Sequence, residues 1–171
     1  MSLIVEDGTG KSDAESYASV SFAESYNSER IDDSAWAGAT TQQKEIALRN
    51  ATEWLNAKYS GRWRGSKFSL TQRMAWPRFG AYDDEEILIS SVEVPIDLQR
   101  ATAYLAIRLI TDKTLEPDLD TPGVVTESSV SIGPISESVK YMSGVGQAKR
   151  YPYAERLVAG LITRSDELER A

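Results

Sequence analysis

The spacing of hydrophobic and polar residues predicts a mainly α-helical protein, a small bundle of about four helices. Apolar side chains recur at the three- and four-residue spacing of an amphipathic helix in four parts of the chain. These parts are residues 21–30, 40–59 and 95–114 and a final segment that begins near Pro152. The third part is apolar over the widest surface, so we expect it to form the buried centre of the bundle.

Local signals predict where three of the helices begin. Ser21 with Glu24, and Thr40 with Gln43, fit the capping box, in which two side chains satisfy backbone donors at a helix start. Pro95 suits the first turn of the third helix, where no backbone donor is lost. We therefore expect helices to begin at these three points.

Glycines and a proline predict an irregular connection between the second and third helices. Gly61 and Gly65 break the helical pattern that precedes them. A short helical turn is predicted from Ser69 or Thr71 to Trp76, because the residue before a proline avoids the α-helical region. We expect Trp76 to hold this connection on the core.

A β-hairpin is predicted between the last two helices. Residues 115–150 have no helical pattern, and two β-type runs, 130–132 and 135–139, flank a Gly-Pro pair that fits the centre of a type II′ turn. Long segments of this kind are usually functional or disordered, and we interpret this one as an extended arm. The candidate arm residues are Val130, Ile132, Gly133, Pro134, Ile135 and Val139.

The length of the chain fits one domain. At 171 residues it can bury a hydrophobic core. We expect a single domain over residues 1–171, with a helical core at 19–114 and 151–170 and the arm at 115–150. No apolar run approaches the ~20 residues of a membrane span, and the opening residues lack the features of a signal peptide. We therefore expect synthesis in a cytoplasm and no membrane partner.

Composition restricts the available chemistry. The chain has no cysteine and no histidine. This removes disulfides, cysteine nucleophiles, zinc sites and histidine general bases, so we expect no enzymatic activity, no cofactor and no metal. The formal net charge of −7 argues against a general nucleic-acid coat, although it leaves room for local basic patches.

Two segments imitate ligand sites. The run Gly8–Ser12 follows apolar residues as in a phosphate-binding loop, but the first glycine of that motif is replaced by Val5. We interpret the run as an ordinary turn. Asp83–Glu86 is interpreted as a solvated loop, because four consecutive carboxylates point in different directions and the spacing of a calcium loop is absent.

A basic and aromatic segment, residues 58–79, is the most distinctive local pattern. The chain has no acidic residue between Glu53 and Asp83. The cations could contact phosphates while the aromatic rings stack on bases, or they could bind an acidic protein surface. Alternatively, the rings seal the loop against the core while the arginines reach outward. The candidate contact residues are Arg62, Trp63, Arg64, Lys67, Arg73 and Arg78.

Several short motifs together resemble a known family. They are Leu3-Ile-Val-Glu-Asp-Gly-Thr-Gly10, a loop with Trp36, Ala51-Thr-Glu-Trp-Leu-Asn-Ala-Lys-Tyr59, Gly61-Arg-Trp-Arg-Gly65, Leu70-Thr-Gln-Arg-Met-Ala-Trp-Pro-Arg78 and Val94-Pro-Ile96. With them the chain resembles the head-tail adaptor, or head completion, proteins of tailed phages, often described as "putative DnaT-like single-stranded DNA-binding protein". The resemblance is closest over residues 1–110.

The resemblance implies a structural role in the virion. It implies a ring of subunits, commonly twelve, beneath the portal protein, which extends the DNA channel and offers a platform to a tail-side connector or tail terminator protein. The partners would be the portal, the tail-side protein, other copies of this chain and the genomic double-stranded DNA in the lumen. The alternative function is single-stranded DNA binding, with Trp63, Phe68 and Trp76 as stacking rings and the arginines of residues 58–79 on phosphates.

Overall fold

The computed structural model describes part of the chain in two compact units. The described residues are 2–30, 34–115, 125–131, 136–141 and 150–163. The first unit comprises residues 1–115 and 151–171, and the second comprises residues 116–150.

The fold is mainly helical, as the hydrophobic pattern predicts. Within the described residues the helices are α1 Val20–Ser28, α2 Ser34–Ala37, α3 Thr41–Lys58, α4 Ile96–Asp112 and α5 Pro152–Val158, with a 3-10 turn at Ala159–Leu161. Two small antiparallel sheets are formed by β1 Ser66–Lys67 with β2 Arg78–Phe79, and by β3 Val125–Ser131 with β4 Ser136–Tyr141. The result is a small helical bundle with a β-hairpin.

Helix α4 is the centre of the bundle, which confirms the prediction from its wide apolar surface. It packs against α1, α2, α3 and α5. Leu98, Ala101, Leu105 and Ala106 on α4 are fully buried. Alanines at this position let neighbouring helices approach closely while the leucines fill the space between them.

The predicted capping box of α3 is present. The Gln43 backbone N–H donates to Thr40 Oγ1 at 3.3 Å, and the Thr40 N–H donates to Gln43 Oε1 at 2.8 Å. Helix α4 begins one residue after Pro95, close to its predicted start. It ends at Asp112, two residues before the predicted end, and the next residue, Lys113, has a left-handed φ of 65°.

The predicted capping box of α1 is wrong. Ser19 caps the helix instead, because its hydroxyl accepts the Phe22 N–H at 3.0 Å. Ser21 bonds the Ser19 hydroxyl, and Glu24 reaches across to Lys44 Nζ at 2.7 Å. The local pattern predicted that Glu24 caps α1, but Glu24 instead forms an ion pair with α3.

The helical turn predicted at residues 69–76 is also wrong. These residues form bends and irregular structure, and the Gln72 side chain bonds the Ser69 N–H and the carbonyl oxygens of Met74 and Pro77. Helix α5 begins at Pro152 as predicted, but the helical structure ends at Leu161, and Ile162 forms an isolated bridge with Trp63. Residues 164–171 lie outside the described part.

The two described ends of the first unit at the hairpin segment lie side by side. The Tyr151 hydroxyl donates to the carbonyl oxygens of Thr114 at 3.4 Å and Leu115 at 3.3 Å. The Tyr151 ring meets Trp54 of α3 edge-on, with centroids 5.6 Å apart. This contact fixes where the chain leaves α4 and where it returns to α5.

The hairpin unit confirms the predicted antiparallel strands. Strand β3 pairs with β4 in a register that places Val130 opposite Glu137 and Ser128 opposite Val139. The arm candidates Ile132, Gly133, Pro134 and Ile135, and with them the predicted type II′ turn, lie outside the described residues.

Candidate functional site

The glycine-rich turn near the N-terminus is built around the carboxylate of Glu6. Glu6 is buried, and Oε1 accepts the N–H groups of Gly8 and Gly10, while Oε2 accepts that of Lys11, each at 2.9 Å. Backbone N–H groups that converge in this way form an anion-binding concavity. Here the protein's own carboxylate occupies it, which explains why the run resembles a phosphate-binding loop.

The cation of the same turn is also used internally. Lys11 Nζ donates to the Val5 carbonyl oxygen at 3.0 Å and pairs with Asp7 at 2.8 Å. This bond from Lys11, with those from Thr9, holds the pKa of Asp7 well below its usual range. The turn is therefore a closed structural unit rather than an open phosphate site.

The tryptophans of the basic and aromatic segment lie in the core. Trp63 is 7% exposed and Trp76 is fully buried, which confirms the predicted role of Trp76 in holding the connection on the core. Trp63 meets Tyr59 and Trp76 edge-on, at centroid distances of 5.4 and 6.3 Å. Phe68 alone of the three predicted stacking rings is exposed. The two tryptophan rings present no face on which a base could stack.

Two of the arginines hold loops together. Arg78 donates to the carbonyl oxygens of Arg64 at 2.6 Å and Ala75 at 3.2 Å, and also to those of Trp63 and Gly65. Burial lowers the pKa of its guanidinium from the ordinary value. A planar fork of five donors suits this gathering of carbonyls, which a lysine could not reproduce.

Arg64 connects three parts of the chain. It donates to the carbonyl oxygens of Ile162 at 3.1 Å and Tyr82 and Asp83 at 3.0 Å each, and it pairs with Asp84 at 2.7 Å. The acidic run 83–86 is thus tied down at one end. In the part of the chain that the structure describes, no cluster of Asp, Glu, His or Cys side chains could hold a metal ion.

The other predicted cations lie nearer the surface. Lys67 and Arg73 are exposed and Arg62 is half-buried, with its guanidinium 5.9 Å from the Tyr59 ring centroid. Lys67 Nζ reaches the Gln72 carbonyl oxygen at 3.4 Å. Of the six predicted contact residues, one ring is therefore buried and two arginines bond loop carbonyls. The three cations nearer the surface are Arg62, Lys67 and Arg73.

The motif around Gln72 and Trp76 is an internal network. Gln72 is buried; its Oε1 accepts the Ser69 N–H at 2.7 Å, and its Nε2 donates to the carbonyl oxygens of Met74 and Pro77 at 3.0 Å each. The Trp76–Pro77 peptide bond is cis. These contacts give the motif a folding role.

Tyr17 completes this network from the other side. Its hydroxyl accepts the N–H groups of Ala75 at 3.0 Å and Trp76 at 3.3 Å, and donates to Asn56 Oδ1 at 2.6 Å. Burial raises the pKa of Tyr17 above its usual value, so the hydroxyl keeps its proton and can donate. The connection between α3 and α4 is therefore held on the bundle by Tyr17.

Apolar side chains are exposed around this connection. Of the eleven large hydrophobic residues exposed in the described part of the chain, eight lie between residues 68 and 96. They are Phe68, Leu70, Phe79, Tyr82, Ile87, Leu88, Val92 and Ile96. Tyr82 and Leu88 are partners in an isolated antiparallel bridge, which places them side by side. We call these eight residues the apolar surface.

A second group of aromatic residues, which the local sequence patterns did not indicate, lines a cavity of 280 Å³. Tyr26 of α1, Tyr104 of α4, Tyr153 of α5 and Arg30 form its lining, which we call the tyrosine pocket. The hydroxyls of Tyr26 and Tyr153 are 2.8 Å apart, and the rings of Tyr104 and Tyr153 meet edge-on at 5.0 Å. The Arg30 guanidinium lies 4.6 Å from the Tyr26 ring centroid.

Comparison with known proteins gives one result. A family model described as "Putative DnaT-like ssDNA binding protein" matches residues 1–171. The chain belongs to this family. The match covers the whole chain, whereas the motifs that carry the sequence resemblance lie within residues 1–110. Neither the curated proteins nor the solved structures that were compared include a match.

Two parts of the first unit are candidates for binding a partner or a ligand. The outward cations of the basic segment and the apolar surface are neighbours in sequence, whereas the tyrosine pocket lies on α1, α4 and α5. Of the arm candidates, Val130 and Val139 lie within β3 and β4. No helix in the described residues is long and apolar enough to cross a membrane.

Proposed function

We propose that this protein is a structural head-to-tail adaptor subunit of a tailed phage, without enzymatic activity. The apolar surface supports this proposal. Of the eleven large hydrophobic residues exposed in the described part of the chain, eight lie between residues 68 and 96, and apolar residues exposed together on a soluble protein mark a partner site. The cations Lys67 and Arg73 lie in the same connection, as in a protein interface with a polar rim.

The partners follow from the resemblance of the motifs to phage adaptors. The subunit would form a ring, with twelve copies as the expected number, between the portal and a tail-side connector or tail terminator protein. The genomic double-stranded DNA would pass through its lumen in the virion. A ring needs two different, complementary surfaces on each copy. The apolar surface would supply one, and the hairpin β3–β4 would add the other by reaching a neighbour.

Assembly of the purified chain with the portal protein of the same phage tests this function. Negative-stain images and sedimentation should show rings, or co-migration with portal, for the natural chain. Leu88→Asp places a charge in the apolar surface and should abolish assembly. Ile46→Asp is the matched control, because Ile46 is 46% exposed on α3, outside the apolar surface, and it should assemble normally.

Two outcomes would contradict the proposal. A natural chain that stays monomeric and ignores portal would remove the adaptor function. Assembly of Leu88→Asp at the natural level, with an unchanged melting temperature, would remove the apolar surface as the contact.

Single-stranded DNA binding is the second candidate, favoured by the description of the family. The segment first considered for this function contributes two buried tryptophans and two arginines that bond loop carbonyls. The exposed rings of that segment are Phe68 and Phe79, and the tyrosine pocket offers a second group of aromatic side chains for a DNA-binding function.

A further inference from the structure

We propose that the tyrosine pocket binds single-stranded nucleic acid, with one base against the Tyr153 ring and the adjoining phosphates at Arg30 and Arg100. This inference rests on the second candidate function and gives it a site. It also moves that site away from residues 58–79, where the sequence placed it.

The ring of Tyr153 is exposed and held in place. Tyr153 is 38% exposed, whereas Tyr26 is 7% exposed. The hydroxyl contact to Tyr26 and the edge-on contact to Tyr104 fix the ring from two sides. Bases stack on aromatic side chains regardless of sequence, and a ring already held in position loses little entropy when a base stacks on it.

The cavity offers hydrogen bonds as well as a ring face. The bond between the Tyr26 and Tyr153 hydroxyls uses only one of their two O–H groups. Burial raises the pKa of Tyr26 to about 12, so its hydroxyl keeps its proton at physiological pH. A volume of 280 Å³ lies just below the range of drug-sized ligand sites, which suits a single planar ring system.

One arginine, Arg30, lines the pocket, and a second, Arg100, lies one helical turn from the lining residue Tyr104. Arg30 lies just beyond the end of α1, with its guanidinium 4.6 Å from the Tyr26 ring centroid, and Arg100 precedes Tyr104 on α4. Both guanidinium groups act on the Tyr26 hydroxyl, lowering its pKa against the larger effect of burial. Their positive charge therefore reaches the pocket and complements a phosphate on either side of a bound base.

The ion pairs of these arginines leave them open to exchange. Arg30 pairs with Glu29 at 3.1 Å and Arg100 with Asp97 at 2.9 Å, and all four side chains are at least 40% exposed. Exposed pairs contribute little to stability, so a phosphate can replace the carboxylate at small cost. Arg30 also donates to the Tyr26 carbonyl oxygen at 3.2 Å, but Arg64 and Arg78 each donate to at least three carbonyl oxygens that hold loops together.

Fluorescence anisotropy of a labelled oligothymidylate of about 15 nucleotides, at low salt, tests the site in the full chain. Tyr153→Ala should weaken binding by about 5- to 150-fold, the range for loss of one stacked base. Tyr153→Phe keeps the ring and should remain within about tenfold of the natural chain, since it loses one hydrogen bond. Arg30→Gln should weaken binding and reduce the salt dependence by about one contact.

Variants of the basic segment serve as matched controls. Phe68→Ala removes an exposed ring and Arg73→Gln an exposed charge, and both should leave the affinity within about twofold. Thermal melting of every variant separates loss of binding from loss of fold. Tyr153→Phe keeps the ring, and Arg30→Gln changes a side chain that is 45% exposed, so both keep the test decisive even if Tyr153→Ala melts early.

Three results would overturn the site. Binding that survives Tyr153→Ala and Arg30→Gln but fails in Arg73→Gln would remove the pocket and leave the second candidate function intact. No binding by the natural chain would remove both. Absence of oligonucleotide binding together with loss of portal or self-association in Tyr153→Ala would show that the pocket receives a protein instead.

Discussion

Glu6→Gln tests whether a buried carboxylate holds the N-terminal turn together. The substitution preserves size and removes the charge. One amide oxygen can still accept the N–H groups of Gly8 and Gly10, but the new NH₂ group faces the N–H of Lys11, where Oε2 stood at 2.9 Å. Two donors then oppose each other in a buried place.

The magnitude follows from these three contacts. Hydrogen bonds to a charged group are stronger than neutral ones by about 1 kcal/mol each, which applies to Gly8 and Gly10. The unsatisfied Lys11 N–H adds about 1–3 kcal/mol. The free energy of unfolding should therefore fall by about 3–5 kcal/mol. In a domain of this length that corresponds to a fall in melting temperature on the order of 10 °C.

Urea unfolding followed by tryptophan fluorescence measures this loss. Glu85→Gln is the control, since Glu85 is an exposed carboxylate of the acidic run and should change stability by about 0.5 kcal/mol or less. A loss below about 1 kcal/mol for Glu6→Gln would refute the reasoning, because the turn would then keep its shape without the charge.

Three further predictions concern stability. Arg78→Lys should cost about 2 kcal/mol or more in urea unfolding, since an ammonium cannot reach four carbonyl oxygens at once; an unchanged midpoint would make Arg78 a surface cation. Gly8→Ala should lower the melting temperature far more than Gly61→Ala, although both glycines have positive φ. An added Cβ at Gly8 would lie 2.0 Å from the Val92 carbonyl oxygen, whereas one at Gly61 meets nothing within 4 Å. Equal melting temperatures would contradict this. Burial raises the pKa of Tyr59 to about 12, above its unfolded value near 10, so its contribution to stability is full below pH 10 and is lost as the pH rises towards 12; Tyr59→Phe should flatten this decline in melting temperature, and an unchanged slope would exclude Tyr59 as its source.

Features encoded by neighbouring residues could be predicted from the sequence. The box of Thr40 and Gln43 depends on residues three apart, and the apolar face of α4 repeats at helical spacing. The hairpin follows from two β-type runs about a Gly-Pro pair. In each case the interaction that fixes the structure lies within one element or one turn.

Features that join distant residues could not be predicted in this way. Tyr17 lies 59 residues from Trp76, whose N–H its hydroxyl accepts, and the paired hydroxyls of Tyr26 and Tyr153 are 127 residues apart. No local pattern marks such pairs. A positive charge in a loop also predicts a solvent-facing side chain, although Arg78 donates to four carbonyl oxygens of the connection between α3 and α4.

Because Tyr151 contacts Thr114 and Leu115, the hairpin segment can be exchanged for another segment while the helical unit keeps its fold. The Tyr151 side chain bonds the residues that precede this segment, so residues 116–150 connect two points that already lie close together. Exchanging them for a glycine-serine linker of about four residues would recover about 2 kcal/mol of loop-closure entropy in the helical unit. Evolution can therefore change the length or the sequence of this segment to fit a new partner while the helical bundle keeps its sequence.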